Sequence, residues 1–242
     1  MTSFRKTALA GGLLYLLTFA SSIPAAFLVG PVINDPSYVT GAGADQQVAL
    51  GAILELVNAI AAFGCAVALF TVVRRVHEGL AVGYLATRLF EAATITIGIV
   101  SVLAVVSLRQ EGAASGDAGP LVPVASALVA IREWAMTIGP NMAAFNALML
   151  GTALYRAKLV PRAIPALGLV GAPILIAYVI GTILGLTGPG TLFQGIAVFP
   201  FFFWELAVGL WLTFKGFNEQ SEIARAERAR IGSASMAPAG AA

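Results

Sequence analysis

Arg88 and Glu91 stand three residues apart inside a long apolar run from Ala81 to Val106. Positions three apart share one face of a helix, so a guanidinium and a carboxylate are set side by side at membrane depth. Other apolar runs carry Glu55 and Asn58, Arg132 and Glu133, Asn141 and Asn146, and Glu205. Residues of these types can tie helices together as ion pairs, line a hydrated pocket for a polar or charged ligand, or pass protons between carboxylates. Glu55, Glu91 and Glu205 are the candidate relay groups. Glu91 or Glu133 is the candidate acid/base of an enzyme working without metal. Two arginines face four glutamates in this census. Arginine keeps its charge, whereas a glutamate can neutralise itself by binding a proton. Two carboxylates can therefore match the arginines, leaving the rest protonated or hydrated. Arg132 and Glu133 are adjacent and point about 100° apart on a helix, which suits a network better than one bridge.

Several chemistries fail on inventory. The chain has one histidine, His77, and one cysteine, Cys65. Zinc hydrolysis needs three or four His, Cys or carboxylate ligands at fixed spacing, so no metal site is assigned. A Ser–His protease inside the membrane needs a histidine in a span, and His77 lies in a connection. There is no G-x-S-x-G, C-x-x-C or H-E-x-x-H sequence, and no phosphate-cradling glycine loop. Cys65 excludes an intrachain disulfide and reads as a small packing residue. No catalytic residue and no cofactor is assigned. His77 reads as a solvated loop residue, and the aromatics from Phe199 to Trp204 as lipid-facing or packing surface.

The elements that must position the polar residues are transmembrane helices. Of the 242 residues 59% are hydrophobic and only 11% charged, with a mean hydropathy of +0.89. Soluble domains carry about 25% charged residues, so the chain reads as a polytopic membrane protein. The partner this implies is the lipid bilayer, with a small-molecule ligand as an option. Nucleic acid is not expected, because the tail arginines Arg225, Arg228 and Arg230 alternate with Glu222 and Glu227. Oligomeric state is not readable.

Six spans are expected, at about 8–29, 50–73, 81–108, 124–154, 166–186 and 192–214. The first begins like a secretory signal but stays apolar through Pro24 to Val29, so it reads as a retained helix. Consecutive spans with short links pack side by side, which sets Glu55 beside Arg88. Any polar cavity is expected to be lined by Arg88 and Glu133. The fourth run, Leu121 to Tyr155, exceeds one crossing and contains Gly139-Pro140. Proline removes a backbone donor, so a kink is expected near Met136, with Asn141 helping to satisfy the loosened backbone. Gly181 and Gly185 have the small-xxx-small spacing of close helix approach. Residues 1–217 form the membrane domain and 218–242 a tail. A surface helix is expected over Glu219 to Arg230 and disorder in the last dozen residues. No repeat relates residues 1–110 to 120–217, which weighs against a carrier.

The basic residues orient the bundle. Arg5, Lys6, Arg74, Arg75, Arg156, Lys158, Arg162, Lys215, Arg225, Arg228 and Arg230 fall on the side of the termini, and the opposite loops hold only Arg109. The positive-inside rule then puts both termini in the cytoplasm of a plasma-membrane protein.

Three stretches carry a family resemblance. They are Arg5-Lys6-Thr7-Ala8-Leu9-Ala10-Gly11-Gly12-Leu13-Leu14-Tyr15-Leu16, Gly51-Ala52-Ile53-Leu54-Glu55-Leu56-Val57-Asn58-Ala59-Ile60, and Gly83-Tyr84-Leu85-Ala86-Thr87-Arg88-Leu89-Phe90-Glu91-Ala92. Together they resemble the DUF4386 family of bacterial integral membrane proteins, from Arg5 to about Phe217. The resemblance implies a six-helix membrane domain, and the chain is expected in the bacterial inner membrane. The family's function is unknown, so the resemblance transfers no activity and no catalytic residue. The expected fold is all-α: a six-span bundle with a polar core of Glu55, Asn58, Arg88, Glu91, Arg132, Glu133, Asn141, Asn146 and Glu205. Two other roles stay open, a small transporter or proton-coupled carrier, and an intramembrane enzyme using carboxylates without metal.

Overall fold

The computed structural model describes residues 3–35, 37–226 and 229. Most of the expected tail, including Glu227, Arg228 and the stretch from Arg230 to Ala242, lies outside them; residues 222–226 are helical. No strand occurs among the described residues. The helices are α1 (Ser3–Leu28), α2 (Gly30–Asn34), α3 (Asp45–Val76), α4 (Glu78–Ser115), α5 (Val122–Ile138), α6 (Ala143–Asn146), α7 (Thr152–Arg156), α8 (Ala163–Ile183) and α9 (Leu192–Phe214). Six helical stretches are long and apolar enough to cross a membrane, with α5 to α7 making one composite stretch over Gly119–Arg156. The protein is an all-α, multi-pass membrane protein. At 1.5 Å rise per residue, the 38 residues of α4 run well beyond the ~30 Å of a hydrocarbon core.

Within lipid, burying apolar surface does little to bring helices together, so small residues and polar pairs must do it. The interior follows that rule. Ala52, Ala59, Ala61, Ala62, Ala66, Ala144, Ala147 and Ala172 are buried, while Phe27, Ile60 and Val170 are 76%, 63% and 69% exposed. Close approach is sharpest where α1 crosses α9: a Cβ on Gly12 would stand 2.5 Å from the Thr213 backbone nitrogen. On α8, Gly168 fits against the indole of Trp204 and Gly171 against Pro200 and Phe201. The expected Gly181/Gly185 contact does not form. Gly185 lies past the end of α8 at φ 71°. There Leu186 N–H donates to Gly181 O and Gly185 N–H to Thr182 O, which ends the helix in a Schellman turn.

The helices form a ring. α4 packs on α3, α3 on α1, α1 on α9 and α9 on α8. The second half of the fourth crossing, α6 to α7, closes the ring between α8 and α4, whereas its first half, α5, packs mainly on α4. The break that permits this lies at Gly139-Pro140, slightly beyond the expected Met136. Pro140 has no N–H to give the preceding turn, and a 3-10 turn, Pro140–Met142, replaces regular helix. Asn141 Nδ2 donates to Thr137 O at 2.6 Å, as expected from the sequence. Gly139 is demanded by Thr94 of α4, whose hydroxyl would overlap any Cβ there. A π-helical turn, Ala147–Gly151, follows, which the sequence did not announce. The two ends of the unit meet: Arg5 donates to Leu212 O at 2.7 Å and to Thr213 O at 2.6 Å.

Candidate functional site

The polar residues do not form one network. They divide into two clusters, each about ten residues in from a helix end. The cluster nearer the termini is built on Arg88, which is 2% exposed. Its Nη1 lies 3.1 Å from Glu91 Oε2, and its Nη2 donates to Glu205 Oε1 at 2.6 Å. Asn146 Nδ2 donates to Glu91 Oε2 at 2.7 Å, and the Thr87 hydroxyl lies 2.6 Å from Asn146 Oδ1. The Tyr15 and Tyr84 rings cover the guanidinium at 5.0 and 5.8 Å, and their hydroxyls hydrogen-bond at 2.9 Å. Four crossings are thereby joined: α1, α4, α6 and α9. The π-helical turn begins directly after Asn146 and adds a residue to that helix, changing which side chains face inward beyond it.

The second cluster lies nearer the opposite loops. Arg132 of α5 meets Glu55 of α3 through two parallel hydrogen bonds, Nη1 to Oε2 at 2.7 Å and Nη2 to Oε1. Both side chains are only 4% exposed. Room for the guanidinium comes from Gly98 of α4, where a Cβ would stand 2.8 Å from Nη1. The expected neighbourhood of Glu55 and Arg88 is therefore replaced: Glu55 takes Arg132, and Arg88 reaches across to α9. Heptad-like neighbour rules cannot see that exchange, because it depends on how the ring closes. Along α4, Ile95 comes one turn after Glu91 and just before Gly98. With Ala52, Ala59 and Ile99 it forms a buried apolar cluster, of which Ile95 on α4 and Ala59 on α3 come between the levels of the two polar clusters. No hydrogen bond or ion pair joins the two clusters among the described residues.

A cavity of about 510 Å³, open to the exterior, lies beside the second cluster, between α5 and α8. Glu55, Asn58, Arg132 and Glu133 are in its walls, with Ser22, Ala26, Val29, Ile33, Trp134 and Met136. Thr182 and Pro189 close the far side. The gap exists because the kink at Pro140 lets α5 stay on α4 while the rest of its crossing packs on α8. Arg132, not Arg88, accompanies Glu133 here, which corrects the expected lining. Glu133 itself is exposed, as its 100° offset from buried Arg132 requires. Asn58 is half-buried at the wall, and Asn141 serves the kink rather than either cluster.

Two further sets of contacts lie outside the clusters. His77 is exposed in the link between α3 and α4, as expected, and there its ring accepts from Leu80 N–H at 3.3 Å and caps α4. On the loop side, Arg109 clasps Asp45 through Nε at 2.6 Å and donates to Ala42 O at 2.8 Å, while Tyr38 donates to Asp45 Oδ1 at 2.8 Å. Burial, then that hydrogen bond, pushes the Tyr38 phenol up to about 12. Among the described residues no group of three or more His, Cys, Asp or Glu is placed to hold a metal ion.

Residues 10–216 match the model of the family described as "Domain of unknown function (DUF4386)", and the chain belongs to that family. No curated protein and no solved structure matches it.

Proposed function

We propose, for this member of the DUF4386 family, that the two Arg–Glu clusters hold the bundle together and that the cleft beside Arg132 binds a small amphipathic molecule. The single observation carrying this reading is the cavity of about 510 Å³ with an ion pair and a free carboxylate in largely apolar walls. Ligand pockets of ~300–1,000 Å³ with a few polar groups in apolar walls are the usual pattern. A carrier would also need a path to the other side, and buried Ala59 and Ile95 come between the levels of the two polar clusters. Binding without passage is therefore the reading adopted. We further propose a plasma-membrane location with both termini in the cytoplasm. The support is the charge pattern, with Arg109 the one Lys or Arg in the loops away from the termini. The cleft then opens toward the outer face.

The test is a thermal-stability screen of the purified chain against amphipathic small molecules, run beside Ala26→Trp, which fills the cleft. Stabilisation of the wild type that is lost in the filled variant supports the reading. No stabilisation in either would sink it. Reporter fusions after Lys215 and within 110–118 test the orientation.

A further inference from the structure

Glu133 is a carboxylate on a membrane-crossing helix with no hydrogen bond or ion pair among the described residues. It lies about 17 Å along the axis from Val122, at ~1.5 Å per residue. Unpaired charge at such depth is costly and marks a functional position by default. The one cation in the cleft lining does not serve it: both Arg132 terminal nitrogens bond Glu55, and its Nε is buried without a partner. Glu55 and Arg132 cancel, so Glu133 leaves the lining one negative charge in excess.

A second cavity, about 180 Å³, shares Ile33 and Glu133 with the first and reaches Asp35 and Tyr38 in the loop. Ser37 donates its backbone N–H and its hydroxyl to Asp35, holding that carboxyl below its ordinary range, so it is an anion at neutral pH. Asp35, Asp45, Glu111 and Asp117 face the single Arg109 on this side of the molecule. Arg109 is already clasped to Asp45. The field at the mouth therefore draws cations in and repels anions. Trp134, 47% exposed and in the cleft wall, offers an indole face, the best aromatic partner for a cation.

We propose that the cleft selects an organic monocation with an apolar body, such as a quaternary ammonium or phosphonium, with Glu133 as its counter-charge. This rests on the ligand-cleft reading above and adds the sign of the ligand.

The experiment uses the full chain in detergent micelles with two probes of nearly equal shape, tetraphenylphosphonium and tetraphenylborate, followed by equilibrium dialysis. The wild type is expected to bind the phosphonium at least tenfold more tightly than the borate. Glu133→Gln, which keeps the shape, is expected to lose at least tenfold for the phosphonium only; Glu133→Asp should recover part of it. Glu78→Gln, on the side of the termini and away from the cleft, should change little. Equal binding of both probes, or a Glu133→Gln variant with unchanged preference, overturns the cation proposal. If Ala26→Trp then abolishes both probes, the cleft reading survives that failure. Binding of neither probe overturns the cation proposal as well, and the stability screen then decides the cleft alone.

Discussion

Removing either member of the Glu55–Arg132 pair should not cost the same. The pair is nearly buried at the inner wall of the cleft, with both side chains 4% exposed and two parallel hydrogen bonds. Hydrogen bonds to charged groups contribute about 1.5–3 kcal/mol each in proteins. Interhelical hydrogen bonds in membranes average only about 0.6 kcal/mol, because the unfolded helices also find partners. The ion pair should exceed that average for a reason of chemistry. Glu55→Leu strands a guanidinium that cannot shed its proton, and stranding a buried charge costs about 3–5 kcal/mol. Arg132→Met strands a carboxyl, which can bind a proton, so its loss should be nearer about 1–3 kcal/mol. Replacing both by apolar residues should restore stability to within about 1 kcal/mol of the wild type, since an isolated buried pair roughly breaks even with well-packed apolar side chains. Unfolding in mixed detergent–SDS micelles, followed by tryptophan fluorescence, measures all four corners of the cycle. A Glu55→Leu loss under about 0.5 kcal/mol would refute the reasoning, because that is the worth of a solvated surface pair. So would a double variant no better than Glu55→Leu alone.

Gly98→Val should destabilise by about 1–3 kcal/mol through overpacking, because its Cβ would stand 2.8 Å from Arg132 Nη1; the loss should shrink in the Glu55→Leu/Arg132→Met background, read by the same unfolding assay. Arg88→Met removes the cation shared by Glu91 and Glu205, and should lower the yield of folded protein on gel filtration more than Asn146→Ala does. Tyr38 keeps its proton in the fold, so its contribution is full below pH 10.0 and is lost as pH rises toward about 12. The midpoint of alkaline unfolding in Tyr38→Phe should lack that fall, while phenolate absorbance in the wild type should show one tyrosine titrating late.

Much of the fold was legible because crossing a membrane leaves so few options. Long apolar runs with few charges mark the helices, and the position of Pro140 marks the break in the fourth one. The adjacency of Arg132 and Glu133 already implied that one would turn inward and the other away. Pairing was not legible. Glu55 and Arg88 sit on consecutive crossings, yet the guanidinium of Arg88 reaches Glu205 because α9 returns beside α4 across the ring. Nothing in the local sequence encodes that distance. The cleft was hidden for a related reason: it comes from α5 and α8 failing to meet, a consequence of the kink and the ring closure together. Gly185 shows how spacing alone misleads, since a motif that reads as a packing surface ends a helix instead.

A ligand cleft beside Arg132 requires water to reach the interior there, and cysteine accessibility measures that directly. Cys65 is fully buried and provides a silent background. Asn58→Cys places a thiol in the cleft wall, and Ile60→Cys places one at a position 63% exposed on the outer, lipid-facing surface of the same helix. A membrane-impermeant thiol reagent applied from the side away from the termini should modify Asn58→Cys in membranes and leave Ile60→Cys untouched. Labelling of neither, or of both alike, would contradict a hydrated cleft.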